Sequence, residues 1–245
     1  MIIARSLYRW GLSMTNHLLL LNEENYHDVV TQKLCNKTKI ILLRGGEGVN
    51  LGHFEYTDNT AEHTTFLFVG RILWDKGYLE FVEAAKIVKQ LYTDTQFKLL
   101  GSLDPFYPKS VPLERIKQDE KTGLIHYVGF TNNMKSVFRE PGIVITLPSF
   151  YGEGMNRSLM EACACGKPII TTNISGCKEL VDNNKNGYIV SPKNIQQLAD
   201  AMIRYLKLSQ QDKQTFSLNS RRKAEDIFDI KKVFHVYDQI TQVIE

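Results

Sequence analysis

From Thr65 onward, short apolar runs of strand type alternate with longer segments in which apolar residues recur every three or four positions. This alternation is typical of a parallel sheet whose strands are connected by crossover helices. The predicted strands are residues 66–70, 97–100, 125–128, 143–147, 169–172 and 188–190. Their nearly continuous apolar character indicates that helices cover both faces of the sheet. We therefore predict an α/β chain with a doubly wound parallel sheet.

The helical segments carry stripes that indicate how they pack. In the segment after Gly77, the residues expected to face the sheet are Leu79, Phe81, Val82, Ala84, Ala85, Val88 and Leu91. A further helix is predicted at 195–206, and two more are predicted in the C-terminal segment 209–245. The main domain is predicted to span residues 55–208.

The segment 1–54 is too short to form a core of its own. It contains a helix-like stretch at 7–14 and one β-α-β pattern, with strands at 18–21 and 39–43 around a helix at 23–34. A glycine-rich stretch at 44–50 then resembles a hinge. We expect this segment to expose apolar side chains unless the C-terminal helices or another chain cover them.

Several classes of protein are disfavoured by composition. The 30 basic and 27 acidic residues are spread along the chain, so no footprint for nucleic acid appears. No apolar run approaches the roughly 18 residues of a spanning helix, and no signal peptide is recognisable, so a cytoplasmic protein is expected. The four cysteines and six histidines lack zinc-site spacing, which favours reduced and mostly buried thiols.

A first candidate turn follows the predicted strand 66–70, where Gly70-Arg71 ends the strand and Lys76-Gly77 opens the next helix. In open parallel sheets, ligands bind beyond the carboxyl ends of the strands, where such turns lie. An arginine fork, a lysine ammonium and a helix N-terminus together suit a diphosphate. The alternative is a pair of solvated basic side chains, and this segment alone does not decide between the two.

A second candidate turn follows the strand 143–147 and leads through a glycine-containing loop into a helix. Asn156 is predicted to cap that helix and Gly166 to end it, so the helix is short and starts near the ligand edge. Glu153 then lies in the loop and Glu161 about one turn into the helix. A carboxylate can accept hydrogen bonds from two neighbouring hydroxyl groups, so the glutamates suit a sugar and a ribose. The alternative is that both are solvated charges.

The two turns belong to a longer series of short motifs. The series consists of Gly70-Arg71 with Lys76-Gly77, Gly129-Phe130-Thr131-Asn132-Asn133-Met134, Glu153-Gly154 with Glu161-Ala162, Lys178-Glu179-Leu180-Val181, and Asn186-Gly187-Tyr188. In this order and spacing, the motifs resemble the donor half of retaining GT-B glycosyltransferases of family 4, or group 1. The resemblance runs from about Leu18 to the C-terminus. It implies a GT-B type fold with one complete Rossmann-like domain and a β-α-β remnant of a second.

The resemblance also implies roles for individual residues. Arg71 and Lys76 would stabilise the departing diphosphate, and Glu153 would orient the donor sugar without acting as a nucleophile. Glu161 would bind the ribose, and Val128 would frame the nucleobase. The other predicted donor-binding residues, most of them through backbone amides facing the diphosphate, are Gly70, Gly154, Met155, Asn156 and Arg157. Because the two cations would supply the charge that other glycosyltransferases take from a metal, no metal or other cofactor is expected.

A UDP-sugar donor and a lipid-linked oligosaccharide or surface-polysaccharide acceptor are implied as partners, with transfer at the inner face of the cell membrane. One departure from the family concerns the acceptor domain, of which only the last β-α-β unit is recognisable. No histidine lies where the family often carries one, and His17 and His27 suit packing or surface positions. We therefore expect an acceptor domain that lacks most of its length.

Three hypotheses stay open at this point. The first is a glycosyltransferase, and the second is a donor-binding module that is inactive without a separate N-terminal chain. The third is a nucleotide-sugar epimerase of GT-B type, against which the context of Glu153 and Glu161 argues. A dinucleotide oxidoreductase is disfavoured because no Gly-x-Gly-x-x-Gly motif follows the first strand of the sheet.

Overall fold

The computed structural model describes residues 2–242 and shows a mixed α/β fold. The strands are β1 (Leu18–Leu20), β2 (Ile40–Leu42), β3 (Thr65–Val69), β4 (Gln96–Leu100), β5 (His126–Tyr127), β6 (Ile143–Leu147), β7 (Ile169–Thr172) and β8 (Gly187–Val190). The α-helices are α1 (Ile2–Ser13), α2 (Glu23–Thr31), α3 (Tyr78–Lys89), α4 (Leu113–Lys121), α5 (Met134–Arg139), α6 (Arg157–Ala164), α7 (Ile195–Leu206), α8 (Gln210–Lys223) and α9 (Ile230–Gln242). Met1 and residues 243–245, which belong to the predicted segments 1–54 and 209–245, lie outside the described residues.

The main sheet has the strand order β5-β4-β3-β6-β7-β8, and every neighbouring pair is parallel. The chain moves outward from β3 to β4 and β5, returns to place β6 beside β3, and then moves outward again. This reversal creates a switch point between β3 and β6, where doubly wound sheets form their ligand crevice. The prediction of a doubly wound, Rossmann-like domain is confirmed.

The central strands are buried, as their apolar character predicts. All five residues of β6 are buried, whereas the predicted strand 125–128 is reduced to the two residues of β5. β3 ends one residue early because Gly70, with a φ of +135°, turns the chain out of the strand. The predicted packing stripe of α3 is too wide, since Leu79 and Leu91 are 39% and 68% exposed.

A second, smaller parallel sheet consists of β1 and β2, which α2 connects. This confirms the predicted β-α-β unit. The C-terminal segment contacts the glycine-rich stretch that follows β2, because the Val49 amide donates to the Phe228 carbonyl at 2.7 Å and the Ile230 amide donates to the Val49 carbonyl at 3.1 Å. A π-helical turn at Ala224–Phe228 precedes this crossing. The expected exposure of apolar side chains is found on α1, where Trp10 is 68% exposed.

One buried cation fastens the main sheet to the segment that precedes it. Lys167 is fully buried after α6, and its ammonium donates to Asn59 Oδ1 and to the Glu140 carbonyl, each at 2.9 Å. The Asn59 side chain also exchanges hydrogen bonds with the backbone of Ile143 at the start of β6. Burial disfavours the charged form and lowers the pKa of Lys167 to about 8.

The lowered pKa of Lys167 predicts a specific pH dependence of stability. Between pH 8 and 10.5 the unfolded chain binds more protons at this site than the folded chain, so this contribution to stability rises with pH. Relative to a Lys167→Met variant, the wild-type free energy of unfolding should gain about 2 kcal/mol between pH 7 and pH 9.5. Urea unfolding at both pH values measures the gain. A Lys117→Met variant on the exposed face of α4 serves as the control and should gain as much unfolding free energy with pH as the wild-type chain. An equal gain in the Lys167→Met variant would contradict the prediction.

Candidate active site

The turns after β3 and β6 lie side by side because these two strands are neighbours at the switch point. The Phe150 amide donates to the Asp75 carbonyl at 2.9 Å, which joins the two turns directly. Gly77 has a φ of +84°, and a Cβ at this position would lie 2.3 Å from the Pro148 carbonyl oxygen. The two candidate turns of the sequence therefore form one continuous surface at the ligand edge of the sheet.

A buried ion pair occupies the centre of this surface. Lys76 ends a short 3-10 turn, Trp74–Lys76, and its Nζ lies 2.6 Å from Glu153 Oε1. The two side chains are only 9% and 17% exposed. The alternative of a solvated charge is thus wrong for Lys76 and for Glu153, whereas Arg71, the other cation of the first turn, is exposed. Each charge of the pair has lost most of its water and has the other as its compensation.

Glu161 lies in the second turn of α6, the helix that follows the loop of Glu153. Asn156 caps α6 through its Oδ1, which accepts from the Leu159 amide at 3.1 Å, and Gly166 follows the end of the helix with a φ of +74°. Both predicted ends are confirmed. Glu161 is buried, and its Oε1 accepts from Arg157 Nε at 3.0 Å. Burial raises the pKa of Glu161, and the guanidinium of Arg157 partly opposes this shift.

Arg71 lies at the exposed rim of the same surface. Its guanidinium carbon is 5.5 Å from the ring centroid of Tyr107, in the loop after β4. Lys109 in that loop forms an ion pair with Asp75, so the loop is attached to the turn after β3. The exposed guanidinium of Arg71 and the buried ammonium of Lys76 thus lie on one turn.

The predicted donor-binding role needs a correction at Asn156. Its backbone amide donates to the Gly176 carbonyl at 2.8 Å, so it is not directed at a ligand. The side chain of Met155 is buried and packs closely on Gly46. A Cβ added at Gly46 would lie 2.7 Å from the Cβ of Met155. Gly154 borders an open cavity of about 550 Å³ together with Glu153.

Val128 is separated from the other predicted residues. It follows β5, two strands away from β3, and its amide donates to the Leu99 carbonyl at 2.9 Å. Its side chain lines a cavity of about 210 Å³ with Thr131 and Val137, distinct from the cavity that contains Glu153. Its predicted contact with a nucleobase therefore stays a prediction.

Two residues that sequence reasoning missed hold the loop around Glu153. Gly176, in the turn after β7, has a φ of +85°, and a Cβ there would lie 2.7 Å from the Glu153 carbonyl oxygen. Asn22, two residues after β1, donates from Nδ2 to the carbonyls of Glu153 and Gly154. A polar residue directly before Glu23-Glu24 is a helix-cap signal, but that signal does not name a partner so distant in sequence.

Residues 2–242 show neither a metal-binding cluster of side chains nor a membrane-spanning helix. This part of the chain contains no group of three or more histidine, cysteine, aspartate or glutamate side chains arranged to hold a metal ion. In the same residues, no helix has the length and apolar character needed to cross a membrane. The cysteines described there are free thiols, and Cys163, Cys165 and Cys177 are buried.

Known proteins that the chain resembles are glycosyltransferases. Residues 54–223 match the family model described as "Glycosyl transferases group 1". The chain is 28% identical over 211 residues to the N,N'-diacetylbacillosaminyl-diphospho-undecaprenol alpha-1,3-N-acetylgalactosaminyltransferase of Campylobacter jejuni, covering 81% of this chain and 53% of the relative. It is 25% identical over 242 residues to the UDP-Gal:alpha-D-GlcNAc-diphosphoundecaprenol alpha-1,3-galactosyltransferase of Escherichia coli, covering 92% and 60%.

Solved structures share the fold. Anabaena Alr3699/HepE in complex with UDP superposes with a TM-score of 0.81 at 16% identity, covering 98% of this chain and 68% of that one. At this identity the likeness concerns the fold alone. The chain spans between half and three-fifths of the length of the two curated relatives named above.

Proposed function

The chain belongs to the group 1 glycosyltransferase family, and from this premise we propose that it binds a UDP-sugar at the β3–β6 switch point and transfers the sugar with retention, as in family 4. The observation that carries the proposal is the buried pair of Lys76 and Glu153. A desolvated ammonium beside a carboxylate offers one group for a phosphate and one for sugar hydroxyls. Both lie at the edge of the sheet where doubly wound folds bind nucleotides.

The diphosphate would lie between Lys76 and Arg71. A buried ammonium is a fixed point charge, whereas the exposed guanidinium can move from the Tyr107 ring onto a phosphate and bind it with two parallel hydrogen bonds. Negative charge grows on the diphosphate as the sugar leaves, so cations held there stabilise the transition state more than the ground state. These two residues would therefore serve catalysis as well as binding.

The ribose and the sugar would be held by the two glutamates. Glu161 is buried in the second turn of α6, where its carboxylate can accept hydrogen bonds from the 2′- and 3′-hydroxyls. Glu153 would accept from hydroxyls of the sugar and so orient the anomeric carbon. When a phosphate binds Lys76 in place of Glu153, the carboxylate of Glu153 becomes free to accept these hydrogen bonds.

The proposed transfer is a front-face displacement. The bond between the anomeric carbon and the β-phosphate oxygen breaks, and the acceptor oxygen forms its bond on the same face of the sugar. The acceptor proton passes to the departing phosphate oxygen, which Arg71 and Lys76 keep close to the reacting centre. UDP and the glycosylated acceptor are the products, and the protein neither gains nor loses a proton.

The acceptor is proposed to be a lipid-linked oligosaccharide or a surface polysaccharide. The names of the Campylobacter jejuni and Escherichia coli relatives specify diphospho-undecaprenol acceptors, which supports a lipid-linked substrate. Such an acceptor places the reaction at a membrane surface, on the cytoplasmic side where nucleotide sugars are available. A purified lipid-linked acceptor and a labelled UDP-sugar would test transfer.

Calorimetry with UDP and a panel of UDP-sugars tests donor binding. Wild-type protein is expected to bind, and Glu161→Gln and Arg71→Ala each to weaken binding about tenfold, because each change removes a hydrogen bond to a charged group. Glu114→Gln, on an exposed turn of α4, is the control and should leave the affinity unchanged. Absence of binding by the wild-type chain would overturn the proposal. Binding without transfer would instead favour a donor-binding module.

A further inference from the structure

Asn22 joins the small amino-terminal sheet to the loop that contains Glu153. The side chain is only 2% exposed and follows β1 at the carboxyl edge of that sheet. Its Oδ1 accepts from the Asn25 amide at 2.9 Å, which caps α2. Its Nδ2 donates to the Gly154 carbonyl at 2.7 Å and to the Glu153 carbonyl at 3.2 Å. One amide side chain therefore serves two elements that are separated by about 130 residues.

Capping alone does not require asparagine at this position. Serine and aspartate cap helices about as well, but neither can cap α2 and at the same time donate two hydrogen bonds to the loop. The two carbonyls that Asn22 binds belong to consecutive residues, so it fixes the orientation of the peptide between Glu153 and Gly154. This orientation determines the direction in which the Glu153 side chain leaves the backbone.

The loop is held from three sides. Lys76 pairs with the carboxylate of Glu153, Gly176 packs against its backbone, and Asn22 binds its carbonyl. The first of these contacts is the one that a phosphate would replace in the proposed donor complex. When Lys76 binds a phosphate instead of Glu153, the backbone contacts with Gly176 and Asn22 continue to hold Glu153 in place.

We propose that Asn22 is a positioning residue that aims Glu153 at the donor sugar and so sets how much the sugar adds to nucleotide affinity. This inference rests on the proposed function and deepens it. It also gives the amino-terminal sheet a part in donor recognition that no sequence motif indicates. Asn22 acts through Glu153 and does not itself touch the donor.

The test compares Asn22→Ser and Asn22→Asp with the wild-type chain. Both variants keep an oxygen that caps α2, and both lose the amide donor. In Asn22→Asp a carboxylate oxygen also faces two carbonyl oxygens, so its effect should be the larger. Asn194→Ser, which changes the side chain that caps α7, is the matched control. Thermal unfolding of each variant checks that the fold is retained.

Calorimetry then measures UDP and whichever of UDP-glucose, UDP-galactose and UDP-N-acetylglucosamine the wild-type chain binds most tightly. For Asn22→Ser we expect the UDP-sugar to bind about tenfold more weakly, because two hydrogen bonds that hold Glu153 are lost. UDP itself should change by less than about threefold, since Glu161 and the cations are untouched. A purely structural role would weaken both ligands equally.

The outcomes separate the two proposals. If UDP and the UDP-sugar weaken in proportion, or if neither weakens, Asn22 does not position Glu153 and the inference is overturned while the proposed function stands. If the wild-type chain binds none of the ligands, the proposed function fails and the inference fails with it. A selective loss of UDP-sugar affinity, absent in Asn194→Ser, supports both.

Discussion

A Lys76→Met variant is expected to bind UDP roughly 10- to 100-fold more weakly than the wild-type chain, since a charged hydrogen bond to the diphosphate is lost. The side chain of Lys76 is 9% exposed, so water cannot replace its ammonium. The substitution also leaves the carboxylate of Glu153 without its cation, next to the site that the phosphates would occupy. Removing one partner of a buried pair leaves an uncompensated charge, and an approaching anion meets repulsion.

A double-mutant cycle separates the two causes. If unpaired Glu153 contributes, the Lys76→Met, Glu153→Gln double variant should recover part of the UDP affinity that Lys76→Met loses. Lys109→Met is the matched control, because Lys109 also forms an ion pair, with Asp75, but its side chain is 56% exposed. Calorimetry with UDP gives the affinities of the wild-type chain, the single variants Lys76→Met and Glu153→Gln, the double variant and the control. Unchanged binding by Lys76→Met, or an equal loss in Lys109→Met, would contradict a diphosphate site at Lys76.

The sequence was sufficient to predict the sheet and the two turns at the ligand edge. The apolar runs of β3 and β6 are long and carry few polar residues, so their strand type follows from their composition. The width of a packed helix face does not follow in the same way. Leu79 and Leu91 fit the period of the α3 stripe, yet they lie at its margin and beyond the end of the helix, where the sheet no longer covers them.

The partner of a side chain is harder to predict than its element. The sequence motifs indicate both Lys76 and Glu153, but the pairing of the two depends on β3 and β6 being neighbours, which is a property of strand order. Lys167 follows Gly166 in a turn, and nothing in its surroundings in the sequence indicates complete burial. Such contacts arise between segments that the fold brings together, so local patterns carry little information about them.

A Gly77→Ala variant is expected to lose about 2–5 kcal/mol of unfolding free energy, from left-handed backbone strain and from overlap with a neighbouring backbone. Gly77 has a φ of +84°, and a Cβ there would lie 2.3 Å from the carbonyl oxygen of Pro148 and 2.7 Å from its carbonyl carbon. Neither group is a flexible side chain that can move aside cheaply. The turns after β3 and β6 would have to separate, and Lys76, the preceding residue, would move with its turn.

Gly123→Ala isolates the strain from the overlap. Gly123 has a similar φ of +74°, but a Cβ there would have no heavy atom within 4 Å. Its loss should therefore be about 1–2 kcal/mol, and its UDP affinity should match that of the wild-type chain. Urea unfolding and UDP calorimetry on both variants provide the comparison. Equal losses of stability would mean that the contact with Pro148 is unimportant. A weaker UDP affinity for Gly77→Ala alone would tie the close approach of the two turns to the anion site, because only that variant displaces Lys76.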